Sequence, residues 1–287
     1  MKYDTVFANN SSSLLFIGNH DALFLDHIKN IRHAFAGPPE ASGAAACGTF
    51  SHECGRILIG DSSGMISCYE FQTGKLLWHQ SSGTYINSIG IHEPTKTVIA
   101  EGSVKSFIDL ESGEIKSSPF ADFHSFCFFD GGFLATKSRS ASVFLFGNHS
   151  KDGRRLEIER ASVNSKYRIA VQSPQILAIV FFDLDEKPFL FRRDSGEIIQ
   201  TVSFPNCYSV SDAGYDSKCD CFRFLTYSSE TGNREVRIVR NLEATEAKAV
   251  GPYRRAGWVF YESFTKIVHP SGMVVDVESK RETFLFD

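Results

Sequence analysis

What is scarce in this chain narrows the reading before any motif does. Methionine and tryptophan number only 3 and 2 among 287 residues. Basic charge is not in excess: 30 lysines and arginines face 34 aspartates and glutamates, a net charge of −4. That balance gives no support to nucleic-acid binding, which normally shows a basic footprint. The longest wholly apolar run, ILAIVFF at residues 176–182, is too short to span a membrane. The start, MKYDTVFANNSSSLLFIGN, is not a signal peptide, because its apolar run is short and Asp4 stands where a basic segment belongs. A cytoplasmic location is therefore expected. The 7 cysteines are odd in number and irregularly spaced, and in a reducing compartment they read most simply as free thiols, several on buried strands. In that setting NNSS and NHS read as turn residues rather than glycosylation sites. No stretch sustains a 3.6-residue apolar period, and no Pro/Gly/Ser-rich linker breaks the chain near its middle.

What is abundant points to sheet. There are 26 phenylalanines, and aromatic and β-branched side chains suit a half-buried pleated surface. The apolar runs are short and punctuated by Gly, Asp, Asn and Ser, as strands between turns are. A repeat underlies them. FQTGKLLWH has counterparts in LESGEIKSS, SKDGRRLEIE and RDSGEIIQTV, with glycines at 74, 113, 153 and 196, so the spacings are 39, 40 and 43. Each glycine is expected to supply the positive φ of a tight hairpin turn. Later units (RNLEATEAKAV, DVESKRETFLF) and the first (DHIKNIRHAF) occupy the same place without it.

Each unit divides into four short strands. AAACGTF, GRILIG, MISCYEF and KLLWH make one; YINSIGI, KTVIAEG, KSFIDL and EIKSS make the next. Seven such units account for nearly all of residues 1–287. The sequence thus predicts an all-β chain forming a single β-propeller domain, with seven four-stranded blades. Strands with continuous apolar runs, such as RILIG and ILAIVFF, should be covered on both faces. Fourth strands such as RLEIE should be half exposed.

In DSSGMISCYEFQTGKLLWH, Asp61, Gly64, Tyr69, Thr73, Gly74, Lys75, Leu77 and Trp78 match the blade pattern of quinoprotein-type repeats. The unit resembles that family, and the layout also resembles a degenerate WD-repeat propeller without its Gly-His and Trp-Asp dipeptides. Both resemblances imply the propeller fold, and Trp78 then reads as blade-to-blade packing. Quinoprotein dehydrogenases carry an adjacent cysteine pair, a calcium site and eight longer blades. Here Cys219 and Cys221 are separated by Asp220, so the resemblance does not extend to the cofactor or the enzyme, and no cofactor is expected.

Constellations that suggest chemistry have simpler explanations. Cys47, His52 and Cys54 lie close in sequence but lack the fourth ligand of a zinc site. Cys219, Asp220 and Cys221 lack the spacer of a redox motif. His20, Asp21, Asp122 and His124 allow many Ser–His–Asp combinations and favour none; there is no Gly-x-Ser-x-Gly elbow and no phosphate-binding loop. Asp183, Asp185 and Glu186 have too few ligands around them for a calcium loop. Arg254 and Arg255 read as an exposed turn. No catalytic residue and no metal site is assigned.

The positive expectation is a protein-binding face. Loops between second and third strands and connections between blades belong to one rim in a propeller. That rim should carry Asp21, Asp61, Asp122, Asp183, Asp185 and Glu230 with Glu186, and Tyr85, Phe120 and Phe123 as aromatic anchors. The resulting expectation is a non-catalytic protein that binds a protein partner, with no membrane or nucleic acid involved. In architecture and charge the chain resembles one class of stand-alone degenerate propellers, the bacterial toxin-immunity proteins. An acidic face would suit the basic domain of a nuclease toxin. The alternatives are a WD-repeat-like scaffold in a larger assembly and a propeller enzyme with a site in the central channel.

Overall fold

The computed structural model describes residues 3–8, 13–18, 21–36, 45–129, 132–137, 143–147, 153–156, 168–181, 188–253 and 257–286. These form seven antiparallel sheets in chain order, a seven-bladed β-propeller. One 3-10 turn, Glu93–Thr95, is the sole helical piece among the described residues. Blade 1 runs Tyr3–Ala8, Ser13–Gly18, Asp21–Asp26 and Ile31–Ala36. Blade 2 runs Ala45–Ser51, Arg56–Asp61, Met65–Glu70 and Leu76–Ser81, and blade 3 Ile86–His92, Thr97–Gly102 and Ser106–Asp109. Blade 4 is Phe123–Phe129, Gly132–Lys137, Val143–Gly147 and Arg154–Leu156; blade 5 is Arg168–Gln172, Ile176–Phe181, Pro188–Arg192 and Ile198–Thr201. Blade 6 is Cys207–Asp216, Cys221–Ser228, Arg234–Arg240 and Glu243–Gly251; blade 7 is Val259–Tyr261, Lys266–Val268, Met273–Asp276 and Glu282–Phe284. By contact the chain forms two compact units, the first holding blades 1 to 3 and the second blades 4 to 7.

The continuous apolar runs have a direct cause. Successive side chains on a strand point to opposite faces, so a strand covered on both sides needs no polar residue. In blade 2, Ile57 and Ile59 join Leu15, Ile17 and Phe24 of blade 1. Their neighbour Leu58 turns the other way and packs with Val98 and Ile108 of blade 3. Blade 5 repeats the arrangement: Leu177 and Ile179 meet Leu134 and Leu145 of blade 4, while Ala178 and Val180 meet Phe222 and Phe224 of blade 6. The seam between blades 6 and 7 closes over Leu225, Val236, Ile267 and Val275. Each fully buried side chain of this size contributes roughly 1.5–3 kcal/mol.

The turn between third and fourth strands carries the repeat. The amides of Gly74, Gly113 and Gly196 donate to the carbonyls of Glu70, Asp109 and Arg192, each at 2.9 Å, with φ of 68°, 76° and 77°. Lys280 holds the same position in blade 7, its amide 2.9 Å from Asp276 O at φ 60°. Asp276 Oδ1 compensates by accepting the amides of Glu278 and Ser279 at 3.1 and 2.7 Å. Gly153 departs from expectation: its φ is not in the left-handed region, and it is required because a Cβ there would lie 2.3 Å from the Phe146 ring.

Blade 3 also departs from the expected four full strands. EIKSS contributes only a bridge, Ile115 to Ile108, with the Lys116 amide donating to Phe107 O at 2.8 Å. The Lys116 side chain folds back onto Asp109 Oδ2 at 3.0 Å and the carbonyls of Thr95 and Lys96. The chain then turns away, with the Ala121 amide on Ser118 O.

Blades are also fastened from their outer strands. Trp78 Nε1 of blade 2 donates to Leu110 O of blade 3 at 2.9 Å. His33 Nε2 of blade 1 lies 3.2 and 3.1 Å from the carbonyls of Phe71 and Gln72 in blade 2. Arg154 of blade 4 donates to Arg193 O of blade 5, and Lys248 of blade 6 pairs with Glu278 of blade 7. At the inner strands, Asp212 of blade 6 accepts the Phe260 amide of blade 7 at 2.6 Å and the Ala213 amide at 2.8 Å. Burial pushes the Asp212 carboxyl up to about 7 against those two amides.

Candidate protein-interaction rim

The turns between second and third strands and the connections entering each blade lie at one end of the strands. In the first unit their backbones are locked together. Gly64 O accepts both the amide and the hydroxyl of Ser82, at 2.8 and 3.0 Å. A Cβ on Gly64, whose φ is +95°, would lie 2.4 Å from Thr84 O. On the other side, a Cβ on Gly102 would lie 1.8 Å from Tyr85 O. The connection 82–85 is therefore wedged between the turn of blade 2 and the turn of blade 3, and both glycines are required by close approach.

This wedge holds Tyr85 outward with 48 % of its surface exposed, and Val104, in the turn that follows Gly102, is 59 % exposed. An aromatic and an aliphatic side chain on a fixed backbone lose little conformational freedom when covered, which suits recognition. Beside Val104, burial lowers the affinity of the Lys105 amine for its proton, partly offset by Glu101.

Several expected rim residues serve other purposes. Asp61 is buried, not exposed. Its Oδ1 accepts the Ser63 amide at 2.9 Å, the Ser63 hydroxyl at 2.7 Å and the Met65 amide at 2.8 Å. It is the Asx residue that shapes the turn. Phe120 and Phe123 are buried as well, Phe120 in the connection after blade 3 and Phe123 at the start of the first strand of blade 4. Phe120 meets the His92 ring edge-on at 5.0 Å, and Phe123 packs on Phe144 and Phe146. Neither is available as an anchor. Asp21 and Asp122 are exposed. Asp183, Asp185 and Glu186 lie outside the described residues, as do His20, Arg254 and Arg255.

In the second unit the equivalent end of blade 6 carries Glu230, exposed, with the Asn206 amide group donating to its Oε2. Ser229 fixes the connection here, its amide and hydroxyl 2.9 and 3.2 Å from Asn206 O. Two residues on stands Tyr208, 70 % exposed, edge-on to Tyr227 at 6.3 Å. The buried Arg234 guanidinium covers Tyr227 at 5.2 Å and donates to Tyr253 O at 3.0 Å. Tyr208 was not singled out in the sequence, yet the repeat register holds the signal. YSVS at Tyr208 stands where YINS stands at Tyr85, each at the entry to a first strand.

The cysteine clusters separate in space. Cys47 is buried and its thiol is pushed up to about 12 by that burial. His52 Nε2 lies 3.0 Å from Ser13 Oγ, which donates to Asp26 at 2.9 Å, and Cys54 Sγ meets Lys96 Nζ at 3.3 Å. Cys219 is exposed and Cys221 buried, while Asp220 accepts the Tyr215 hydroxyl at 2.7 Å. No group of three or more metal-ligating side chains occurs among the described residues. No helix among them is long and apolar enough to cross a membrane.

No protein-family model matches the chain, and no curated protein matches it in sequence. Its fold is widely shared among solved structures. Hsv2 of Kluyveromyces lactis is similar with a TM-score of 0.69 at 9% identity, over 98% of this chain and 96% of that one. The C-terminal WD40 domain of Sif2 gives 0.58 at 14% identity, over 97% and 83%. A chain of the Mitotic Checkpoint Complex gives 0.65 at 9% identity, over 99% and 87%. At such identities the likeness establishes the WD40-like propeller fold.

Proposed function

We propose that the chain is a non-catalytic protein-binding β-propeller that takes its partner on the rim formed by blade-entry connections and second-to-third-strand turns. The observation that carries this reading is Tyr85, exposed on a connection wedged between Gly64 and Gly102, with Val104 exposed in the turn that follows Gly102. Support also comes from the kind of protein that shares the fold, one of which is a component of a named complex. Affinity capture with the tagged full chain tests it. Wild type should retain a partner that the Tyr85→Ala, Val104→Ser double variant loses; equal capture by both contradicts the rim.

A narrower form of the reading is an immunity protein that neutralises a basic nuclease toxin. It rests on the net charge of −4 and on the acidic residues placed on the rim by sequence. Pull-down with the product of a neighbouring gene decides it, with charge reversal at Asp183, Asp185 and Glu186 weakening the complex most at low salt. A scaffold with more than one partner is favoured by the separate exposed aromatic at Tyr208. In that case Tyr208→Ala and Tyr85→Ala release different proteins.

A further inference from the structure

The Lys96 ammonium donates to Cys54 Sγ at 3.3 Å, and this contact crosses the seam between blades 2 and 3. Cys54 lies in the turn between the first two strands of blade 2, and Lys96 in the corresponding turn of blade 3. Each is positioned by bonds that do not depend on the other. The Cys54 amide donates to Ser51 Oγ at 3.0 Å, and Arg56 Nη1 donates to Cys54 O at 3.3 Å. Lys96 is held at φ 48°, ψ 47°, its amide on Glu93 O at 3.1 Å and its carbonyl accepting the Leu110 amide at 2.9 Å. The backbones that carry the two side chains are therefore fixed on either side of the seam.

The Cys54 thiol meets a primary amine across a blade seam. Cys47, Cys68 and Cys221 are buried, and burial raises all three. Cys54 is partly exposed, so a small oxidant reaches it. The thiolate is the nucleophile in such reactions. The bond to Cys54 in turn holds the Lys96 ammonium above its ordinary range.

We propose that Cys54 and Lys96 form a peroxide-responsive cross-link, a reversible covalent modification site that fastens blade 2 to blade 3. In the first step the Cys54 thiolate attacks a peroxide oxygen. The S–O bond forms, the O–O bond breaks, and the sulfur is oxidised by two electrons as the peroxide is reduced. The hydroxide that leaves takes a proton from the Lys96 ammonium, giving one water, a sulfenic acid and a neutral amine in contact. In the second step the amine lone pair attacks sulfur and the S–O bond breaks. The hydroxyl departs with an amine proton as a second water, leaving an S–N bond. Sulfenic acids undergo the same condensation with a backbone nitrogen, and the Lys96 amine is a stronger nucleophile than an amide. One hydrogen peroxide is consumed, and the protein loses two hydrogens. Thiol reductants reverse the link.

The test is peptide mapping by mass spectrometry of the full chain after brief exposure to hydrogen peroxide, with and without later thiol reductant. Wild type should yield one peptide pair joined through Cys54 and Lys96, lacking two hydrogens, uncut by trypsin after Lys96 and released by reductant. Joining with one added oxygen, from a second peroxide, supports the same couple. Cys54→Ser should lose the link. Lys96→Arg keeps the charge but not the nucleophilic amine, so it should also lose the link and accumulate sulfenic acid trappable by a dione reagent. Exposed Cys219, whose Sγ lies 4.0 Å from Arg223 Nη2, serves as the internal comparison. The proposal is overturned if Cys54 oxidises without joining Lys96, if trapped sulfenic acid is equal in wild type and Lys96→Arg, or if Cys219 oxidises while Cys54 does not. These readouts do not depend on whether the rim binds a protein.

Discussion

The indole nitrogen of Trp78 reaches across a blade seam to the carbonyl of Leu110, 2.9 Å away, and its ring lies over the turn at Gly113. A Cβ on Gly113 would lie 2.8 Å from that ring. The outer strand of one blade thus holds the turn of the next, and the glycine that marks the repeat leaves room for the holding side chain. Gly74 does the same under His33, where a Cβ would lie 2.8 Å from the ring.

Trp78→Phe removes the hydrogen bond and keeps most of the packing, so it should destabilise the chain by about 1 kcal/mol. Trp78→Ala removes both, with an expected loss of about 3 kcal/mol. Urea unfolding measures the two. An unchanged midpoint for Trp78→Phe would mean that the indole nitrogen contributes nothing at this seam.

Gly113→Ala and Lys280→Gly should move stability in opposite directions. The first places a methyl against the Trp78 ring in a left-handed backbone, and a loss of about 2 kcal/mol is expected. The second relieves a left-handed lysine at φ 60° and should gain about 1 kcal/mol. Midpoints of chemical denaturation check both, and a destabilised Lys280→Gly would contradict the assignment of this turn to the repeat.

Asp212 gives a signed pH dependence. Its carboxyl titrates at about 7 in the folded chain and near 4 when unfolded. Between those values the folded state holds a proton that the unfolded chain has released. Stability therefore falls as pH rises through the window and is level above it. Asp212→Asn removes this slope, so the variant should gain on wild type by a few kcal/mol between pH 4 and pH 8. Denaturation at several pH values measures the difference, and parallel profiles would show that Asp212 is not the titrating group.

The fold was legible because its causes are local. Turn glycines at 74, 113 and 196 have the backbone angles their type permits, and continuous runs such as RILIG mark strands covered on two faces. Trp78 follows the same logic. The reduced fourth strand of blade 3 was not legible, because Lys116 leaves the edge to satisfy Asp109 and two carbonyls across a turn, contacts that strand pattern does not encode. The rim was legible only in part. Asp61 is a turn former and an exposed acid by the same composition, and only its three donors tell them apart. Phe120 lies in a polar connection and Phe123 opens a strand, and both are buried against rings from elsewhere in the chain, His92 for the first and Phe144 and Phe146 for the second. Tyr208 was visible only by aligning the entries of blades 3 and 6. The Cys54–Lys96 contact joins residues 42 apart through a seam that no spacing predicts.

The central claim is that the rim at Tyr85 binds a protein, and the affinity of the captured partner for purified rim variants tests it most directly. Tyr85→Ala should raise Kd by ten- to a hundred-fold, about 1.4–2.8 kcal/mol, with an unchanged urea midpoint. The same affinity for Tyr85→Ala, Val104→Ser and wild type, at equal stability, would contradict the account.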